Sequence, residues 1–330
     1  MNAPSPLVTW RGPLTAAVFA ALVVLGFEVA LHRLVPMPRR DLEVDTGVAA
    51  LAAGDPEVLV LGSSHAGAYL PLIDRLGSER VVVVTEEGGT FSAFEWVYRN
   101  RLEPLMEEKT RLKQVVLVTT YWDTCPLERT HWTSSLPARA WRWPHYLADV
   151  VRHGVTPENR NFPFTAMKRL FAQSMMVQDR GLENLRSELK GPESADSFAG
   201  RKASWVKRRR VEIVEEGRTC LRPEELAKLE GLVEALRARG LEITVVAFPL
   251  MAELLAEETH RTTLAAYAKF LAELKVRRGV RIVDHTVTAP MLYDDFEIDC
   301  DHLTPSAREK YIDWALAHGL EFLREGAGAP

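Results

Sequence analysis

The sequence predicts a three-layer α/β/α sandwich around a five-stranded parallel sheet in flavodoxin-like order. Two observations predict it. Short, continuous, β-branched apolar runs recur along the chain, as in Val81-Val82-Val83-Val84, and stretches of helical apolar spacing separate them. Strands that apolar must be covered on both faces, and crossover helices then lay them parallel in one sheet. The composition agrees: 330 residues, 47% hydrophobic and 26% charged, are enough for a sizeable core. A formal net charge of −4 gives no overall pull toward nucleic acid, and no nucleic-acid partner is expected.

The elements follow in order. Residues 12–27 carry no charge, and the apolar run continues through Glu28 to Val35. That length spans a bilayer, so residues 1–36 are expected to be a short stub and one N-terminal transmembrane signal anchor. Glu28 is costly in hydrocarbon unless it lies near the interface. A cleaved signal peptide is the rival, but Ala50-Leu51-Ala52 lies too far away to serve as its site. Arg11 precedes the run whereas Arg33, Arg39 and Arg40 follow it, so charge alone places the body on the cytoplasmic side. Residues 37–55 read as a juxtamembrane linker with a short Ala-rich helix, and residues 56–330 as the α/β domain. Strands are expected at 57–61, 80–85 and 114–120, with helices at 66–76 and 91–107. After Asp123 the alternation breaks into an insertion over 124–221, with Pro126, Pro137, Pro144, Pro157 and Pro163, tryptophans 132, 141, 143 and 205, helical pieces at 164–178 and 182–189, and basic residues Arg201, Lys202 and 207–210. It resumes with a helix over 223–239 closed by Gly240, a strand at 241–248, a helix over 259–277 and a strand at 279–284. A final helix over 305–324 has Thr304 as its N-cap.

Three cysteines, Cys125, Cys220 and Cys300, form neither a disulfide framework nor a metal motif. Cys125 and Cys300 both follow strands and could pair in an oxidising compartment, but unpaired thiols are expected.

Ligands of such sheets gather at the carboxyl ends of the strands, where Ser64 follows strand one. A serine hydroxyl needs a neighbouring base to attack a carbonyl at neutral pH. His302 is the expected base, and Asp299, three residues earlier, the residue that orients it. The blander reading of Gly62-Ser63-Ser64 is a tight turn with a capping serine. The 62–67 segment lacks the Lys-Ser/Thr pair of a phosphate-binding loop. His65 either lines the site or is a solvent-exposed turn histidine, the latter being expected. Trp122 and Asp123 end strand three and face the site by topology. Asp284-His285 is a second, less favoured acid–base pair. Asp294, Asp295, Glu297 and Asp301 could bind a cation, but a solvated acidic loop is the expected reading. No metal-ligand pattern appears, so neither metal nor cofactor is expected. Tryptophans 132, 141 and 143 could stack on sugars, and the basic residues at 201–210 could hold an anionic polymer or lipid headgroups. A small core and a solvated helix face are the expected roles.

This pattern resembles the SGNH (GDSL-like) hydrolase superfamily over 57–325 outside the insertion. Gly62-Ser63-Ser64 stands for its Gly-Asp-Ser block. Asp299-Cys300-Asp301-His302, continued by Leu303-Thr304-Pro305, stands for its Asp-x-x-His block. Gly88-Gly89 falls at its glycine block. The resemblance implies an oxyanion hole formed by the backbone N–H groups of Ser64 and Gly89. Two departures stand out. The turn Thr120-Tyr121-Trp122-Asp123-Thr124 has no Asn where the family carries one, and Ser63 replaces the acidic residue before the nucleophile. The Gly-Ser-Ser turn and an ending that begins at Tyr293-Asp294-Asp295 most resemble membrane-anchored members, the alginate O-acetylation proteins and the D-alanine transfer protein of teichoic acid synthesis. That implies a body on the periplasmic or extracellular side of the cytoplasmic membrane, against the charge rule. The implied partners are a cell-envelope polysaccharide or glycan and a membrane O-acyltransferase that supplies acyl groups. The expected function is therefore a serine acyltransferase or esterase acting on O-acyl groups. The alternatives are a catalytically degenerate scaffold for polysaccharide binding or assembly, and a cytoplasm-facing body with an unrelated substrate.

Overall fold

In the computed structural model five parallel strands lie in the order β2-β1-β3-β4-β5. The structure describes residues 43–86, 90–125, 220–297 and 301–324, with short pieces between 146 and 207. The strands are β1 (Val58–Ser63), β2 (Val81–Glu86), β3 (Gln114–Thr119), β4 (Glu242–Ala247) and β5 (Arg281–Asp284). β1 is flanked in register by β2 and β3, with Gly62 opposite Thr85 on one side and Val118 on the other. This is the flavodoxin-like order expected from the alternation. Every residue of β1 and β2 is buried, as continuous apolar strands in a doubly covered sheet require.

Alternation along β1 divides the core into two. Leu59 and Leu61 pack on one face with α1 (Glu43–Ala53), α3 (Phe91–Val97), α5 (Pro223–Ala238) and α6 (Glu258–Arg278). Val58 and Val60 pack on the other with α2 (Pro71–Leu76) and α7 (Pro305–Ala315). Thus α1, in the segment read as a linker, is part of the fold: Leu51 is buried, and Gly47 lies so close to β2 that a Cβ would stand 2.4 Å from the Val83 carbonyl oxygen.

Local chemistry explains where elements depart from expectation. The helix expected over 66–76 is a 3-10 turn (Ser64–Tyr69) followed by α2, which starts at Pro71 because proline suits a first helical turn. The helix expected over 91–107 passes through a π-helical stretch (Tyr98–Leu102) before α4 (Glu103–Met106). Pro104 lacks the N–H a continuous α-helix would use, and the wider turn accommodates it. α7 ends at Ala315; Gly319, at φ 103°, reverses the chain so that Leu320 is buried.

The membrane segment expected in residues 1–36 lies outside the described residues. No helix among the described residues is long and apolar enough to cross a membrane, which corrects the expected single-pass placement in a cytoplasmic membrane with an outward-facing body. The expected helices at 164–178 and 182–189, tryptophans 132, 141, 143 and 205, and Arg201 with 208–210 also lie outside the described residues.

Two other expectations are corrected. Cys125 is bonded to Cys220, with Cα atoms 4.3 Å apart, not left as a thiol or paired with Cys300. The bridge joins the two ends of the insertion, beside a hydrogen bond of 2.9 Å from the Leu221 N–H to the Thr124 hydroxyl. Lys202 is not on a solvated face: it is buried, and its ammonium donates to the carbonyls of Tyr293 and Phe296 while lying 4.2 Å over the Tyr293 ring.

Candidate active site

β1 delivers Gly62, Ser63 and Ser64 to its carboxyl end, and the sheet is tightest there. A Cβ on residue 62 would stand 2.5 Å from the Val118 carbonyl oxygen and 3.1 Å from Ala66, so glycine is what lets β1 approach β3 and turn at once. The turn presents Ser64 half-buried while Ser63 and His65 point into the protein.

His302 arrives from the other end of the chain on a short antiparallel crossing. The Glu297 N–H donates to the His302 carbonyl (2.7 Å), and the Thr304 N–H to that of Asp295 (2.9 Å). Phe296 bridges Leu303 across the same crossing, and both are buried. Lys202 caps two of its carbonyls, so the crossing is gripped from the insertion side as well. Behind it, Thr304 caps α7 by accepting from the Ala307 N–H (3.3 Å). The outcome is a distance of 2.6 Å between His302 Nε2 and Ser64 Oγ. A hydroxyl that close to an imidazole nitrogen can lose its proton to it as it attacks a carbonyl.

Of the residues singled out from the sequence, the structure brings Ser64 and His302 together. Asp299, Gly88 and Gly89 lie outside the described residues. Trp122 and Asp123 sit on a 3-10 turn (Tyr121–Thr124) directly after β3, and Asp123 is buried. Its Oδ2 accepts from the Thr120 N–H (2.7 Å). Burial pushes the Asp123 carboxyl up to about 7; His65, the Thr120 N–H and Ser63 oppose the shift, and Asp301 adds to it.

His65 is the clearest correction. Expected in solvent, it is 4% exposed and hydrogen-bonded through both ring nitrogens. Nδ1 lies 2.8 Å from Ser63 Oγ, and Nε2 lies 2.9 Å from Asp301 Oδ1. Its ring stacks on that of His302, with centroids 5.1 Å apart and planes 12° apart, and its other side meets Phe248 at 4.9 Å. Asp301, read from sequence as part of a solvated loop, is the partner that holds it. Of the rest of that run Asp294 is exposed, as expected, whereas Asp295 accepts from Lys310 (2.5 Å) and Glu297 from Arg308 (3.2 Å). His65, Asp301 and His302 each offer one ligand atom, all within 4.8 Å of one another. The His65–Asp301 and His302–Ser64 hydrogen bonds account for that proximity.

Two further histidines flank the site. His260, unremarked in the sequence, is fully buried against Tyr121, whose hydroxyl lies 2.5 Å from its Nδ1. Burial pushes its pKa down to about 4, with Asp301 pulling the other way. His285 lies between the Tyr311 hydroxyl (2.8 Å) and the His318 carbonyl (2.8 Å), and the Tyr311 hydroxyl also meets that of Tyr69 (2.8 Å). Those bonds tie α7 to β5 and the serine turn, so Asp284-His285 serves the frame.

No family model and no curated protein sequence matches this chain. Solved structures do resemble it. A GDSL-like lipase from Bacteroides thetaiotaomicron is 11% identical with a TM-score of 0.40, covering 84% of this chain and 97% of its own. A putative acylhydrolase from Bacteroides fragilis is 10% identical with a TM-score of 0.38, covering 81% and 88%. An α/β hydrolase from the metagenome of Lake Arreo is 13% identical with a TM-score of 0.39, covering 80% and 94%. At these values the likeness carries no argument about activity, which must come from the side chains themselves.

Proposed function

We propose that this chain is a serine-dependent acyl-ester hydrolase of the SGNH type. The single observation that carries the reading is the 2.6 Å contact between Ser64 Oγ and His302 Nε2 at the carboxyl end of β1. As Ser64 Oγ bonds to an ester carbonyl carbon, its proton passes to His302 Nε2. The oxyanion is held by the Ser64 backbone N–H and, as the resemblance implies, that of Gly89. The tetrahedral centre then expels the alcohol, which takes the proton from His302 and leaves an acyl-Ser64. A second hydroxyl bearer attacks that acyl group, gives its proton to His302, and the proton returns to Ser64 Oγ. Asp299 is assigned to orient His302.

Water as the second hydroxyl makes an esterase, and a sugar hydroxyl makes a transferase. The finer reading is an acyl group carried on a cell-envelope polysaccharide or glycan, supplied by a membrane O-acyltransferase. It is supported by the Gly62-Ser63-Ser64 turn and the ending from Tyr293-Asp294-Asp295 to His302.

The test is a fluorophosphonate probe on the full-length chain, read by intact mass and peptide mapping. One adduct at Ser64, absent from Ser64→Ala and at least about a hundredfold slower in His302→Gln, is the expected result. No adduct on folded protein sinks the reading and favours the non-catalytic scaffold.

A further inference from the structure

His302 meets Ser64 only while a crossing from the far end of the chain is held against the turn after β1. The bonds from the Glu297 N–H to His302 and from the Thr304 N–H to Asp295 fix that crossing internally. His65 ties it to the serine turn: its Nε2 lies 2.9 Å from Asp301 Oδ1, a contact between residues 236 apart in sequence. We propose that His65 is a positioning residue for the reaction, clamped by Asp301 so that its ring holds the His302 imidazole in line with Ser64. The proposal rests on reading Ser64 and His302 as nucleophile and base.

Hydrogen-bond chemistry fixes how the ring is held. An ionised Asp301 has no hydrogen to give, so His65 Nε2 carries one and donates it. Nδ1 is then an acceptor, and the Ser63 hydroxyl, 2.8 Å away, donates to it. A neutral imidazole and one hydroxyl satisfy both bonds, and the ring cannot turn without breaking them. It is also wedged. Phe248, buried after β4, meets it at 4.9 Å, and His302 stacks on it at 5.1 Å with the planes 12° apart. The sheet backs His65, and His65 backs His302.

The clamp matters because of where it sits and when it acts. His65 follows Ser64 and Asp301 precedes His302, so the bond joins the neighbours of the two reacting groups. The 2.6 Å contact between Ser64 and His302 cannot do this work throughout the reaction. Once Ser64 Oγ carries the acyl group, the hydroxyl hydrogen of that contact is gone, yet His302 must stay in place to take the proton of the second hydroxyl. The His65–Asp301 bond and the ring stack involve no reacting atom and persist. A misplacement of about 1 Å in a reacting group can cost about a hundredfold in rate.

The test is a double-mutant cycle in the full-length chain, with Asp301→Ala, His65→Phe and the two combined. Fluorophosphonate labelling of Ser64 is followed at several probe concentrations on protein shown to be folded. His65→Phe keeps a ring in the wedge and loses both bonds. Each single variant should lower the maximal labelling rate about tenfold or more and leave probe affinity unchanged. The double variant should lie within about twofold of the slower single, because both changes remove the same bond. Asp301→Asn should recover most of the loss, since its side-chain oxygen still accepts from Nε2–H. The Asp301 side chain is 13% exposed, so the comparison of Asp301→Ala with Asp301→Asn decides the matter even where His65→Phe fails to fold. Losses that multiply in the double variant overturn the proposal. So does Asp301→Asn labelling as slowly as Asp301→Ala, which would mean that the carboxylate charge acts on His302 directly. Wild type that labels no faster than Asp301→Ala overturns the clamp alone, whereas wild type that never labels overturns the serine reading and the clamp with it.

Discussion

The Cys125–Cys220 bridge closes the inserted segment at its base, with a sequence separation of 95 residues. Breaking it by Cys220→Ser frees that whole loop in the unfolded chain. Loop-closure entropy for this span is worth about 4–5 kcal/mol at 25 °C. A domain's total stability is about 5–15 kcal/mol, so the loss should be plain in urea unfolding of the full-length chain. The native side should feel it too. Cys125 ends the turn that carries Trp122 and Asp123, and Leu221, beside Cys220, holds a left-handed backbone at φ 61° that costs about 1 kcal/mol or more. The expected result is a midpoint shift equivalent to at least about 2 kcal/mol, reproduced in wild type by reducing agent and absent when reducing agent is added to Cys220→Ser. A variant that unfolds within about 0.5 kcal/mol of oxidised wild type would refute the idea that the bridge is what closes the insertion.

Three other perturbations test the frame around the site. His260 has its pKa pushed from 6.5 down to about 4. The native state therefore stays neutral while the unfolded chain takes up a proton below 6.5, so stability is full above pH 6.5 and falls as pH drops toward 4. The loss should reach about 3 kcal/mol, and the slope in that window should disappear in His260→Gln. Tyr311→Phe removes the hydroxyl shared by Tyr69 and His285, leaving two buried polar groups short of a partner. It should cost about 2–4 kcal/mol by denaturant titration, and a neutral outcome would mean water replaces the hydroxyl. Gly62→Ala puts a methyl against the Val118 carbonyl. It should destabilise by about 1–3 kcal/mol and slow Ser64 labelling, and unchanged labelling would show that the serine turn does not depend on the close approach of β1 and β3.

The sheet was readable because its strands are continuous apolar runs, a pattern that only a doubly covered parallel sheet explains. The approach of Ser64 and His302 was readable from their motifs and not from strand adjacency: β3 and β4 stand between β1 and β5, and it is the segment after β5 that carries His302 back to Ser64. The second half of the site was not. His65 and Asp301 lie in polar turns, and nothing in a polar turn distinguishes a buried side chain from a solvated one until the partner's position is known. The one available signal was adjacency: both neighbour the two residues already singled out. Lys202 misled for a related reason. Its company of arginines reads as a charged face, whereas its long side chain reaches under the site loop to serve two carbonyls. The disulfide had a signal that spacing rules overlook, because Cys125 and Cys220 stand at the two boundaries where the strand–helix alternation stops and resumes.

Ser63, where the resemblance leads one to expect an acid, is the departure that bears most on the chemistry. In place of that acid Ser63 presents a hydroxyl 2.8 Å from His65 Nδ1. That has a consequence for the reaction. With ring centroids 5.1 Å apart, His65 and His302 would repel by about 3 kcal/mol if both were charged, taking an effective dielectric of about 20. Protonation of His302 by the serine proton is therefore easiest while His65 carries no charge. An acid placed directly beside Ser64 would instead draw positive charge onto the neighbouring imidazole and raise the barrier to protonating His302. Ser63→Asp should accordingly slow labelling of Ser64 while leaving the fold intact, and a labelling rate equal to wild type would show that the charge state of His65 does not reach His302.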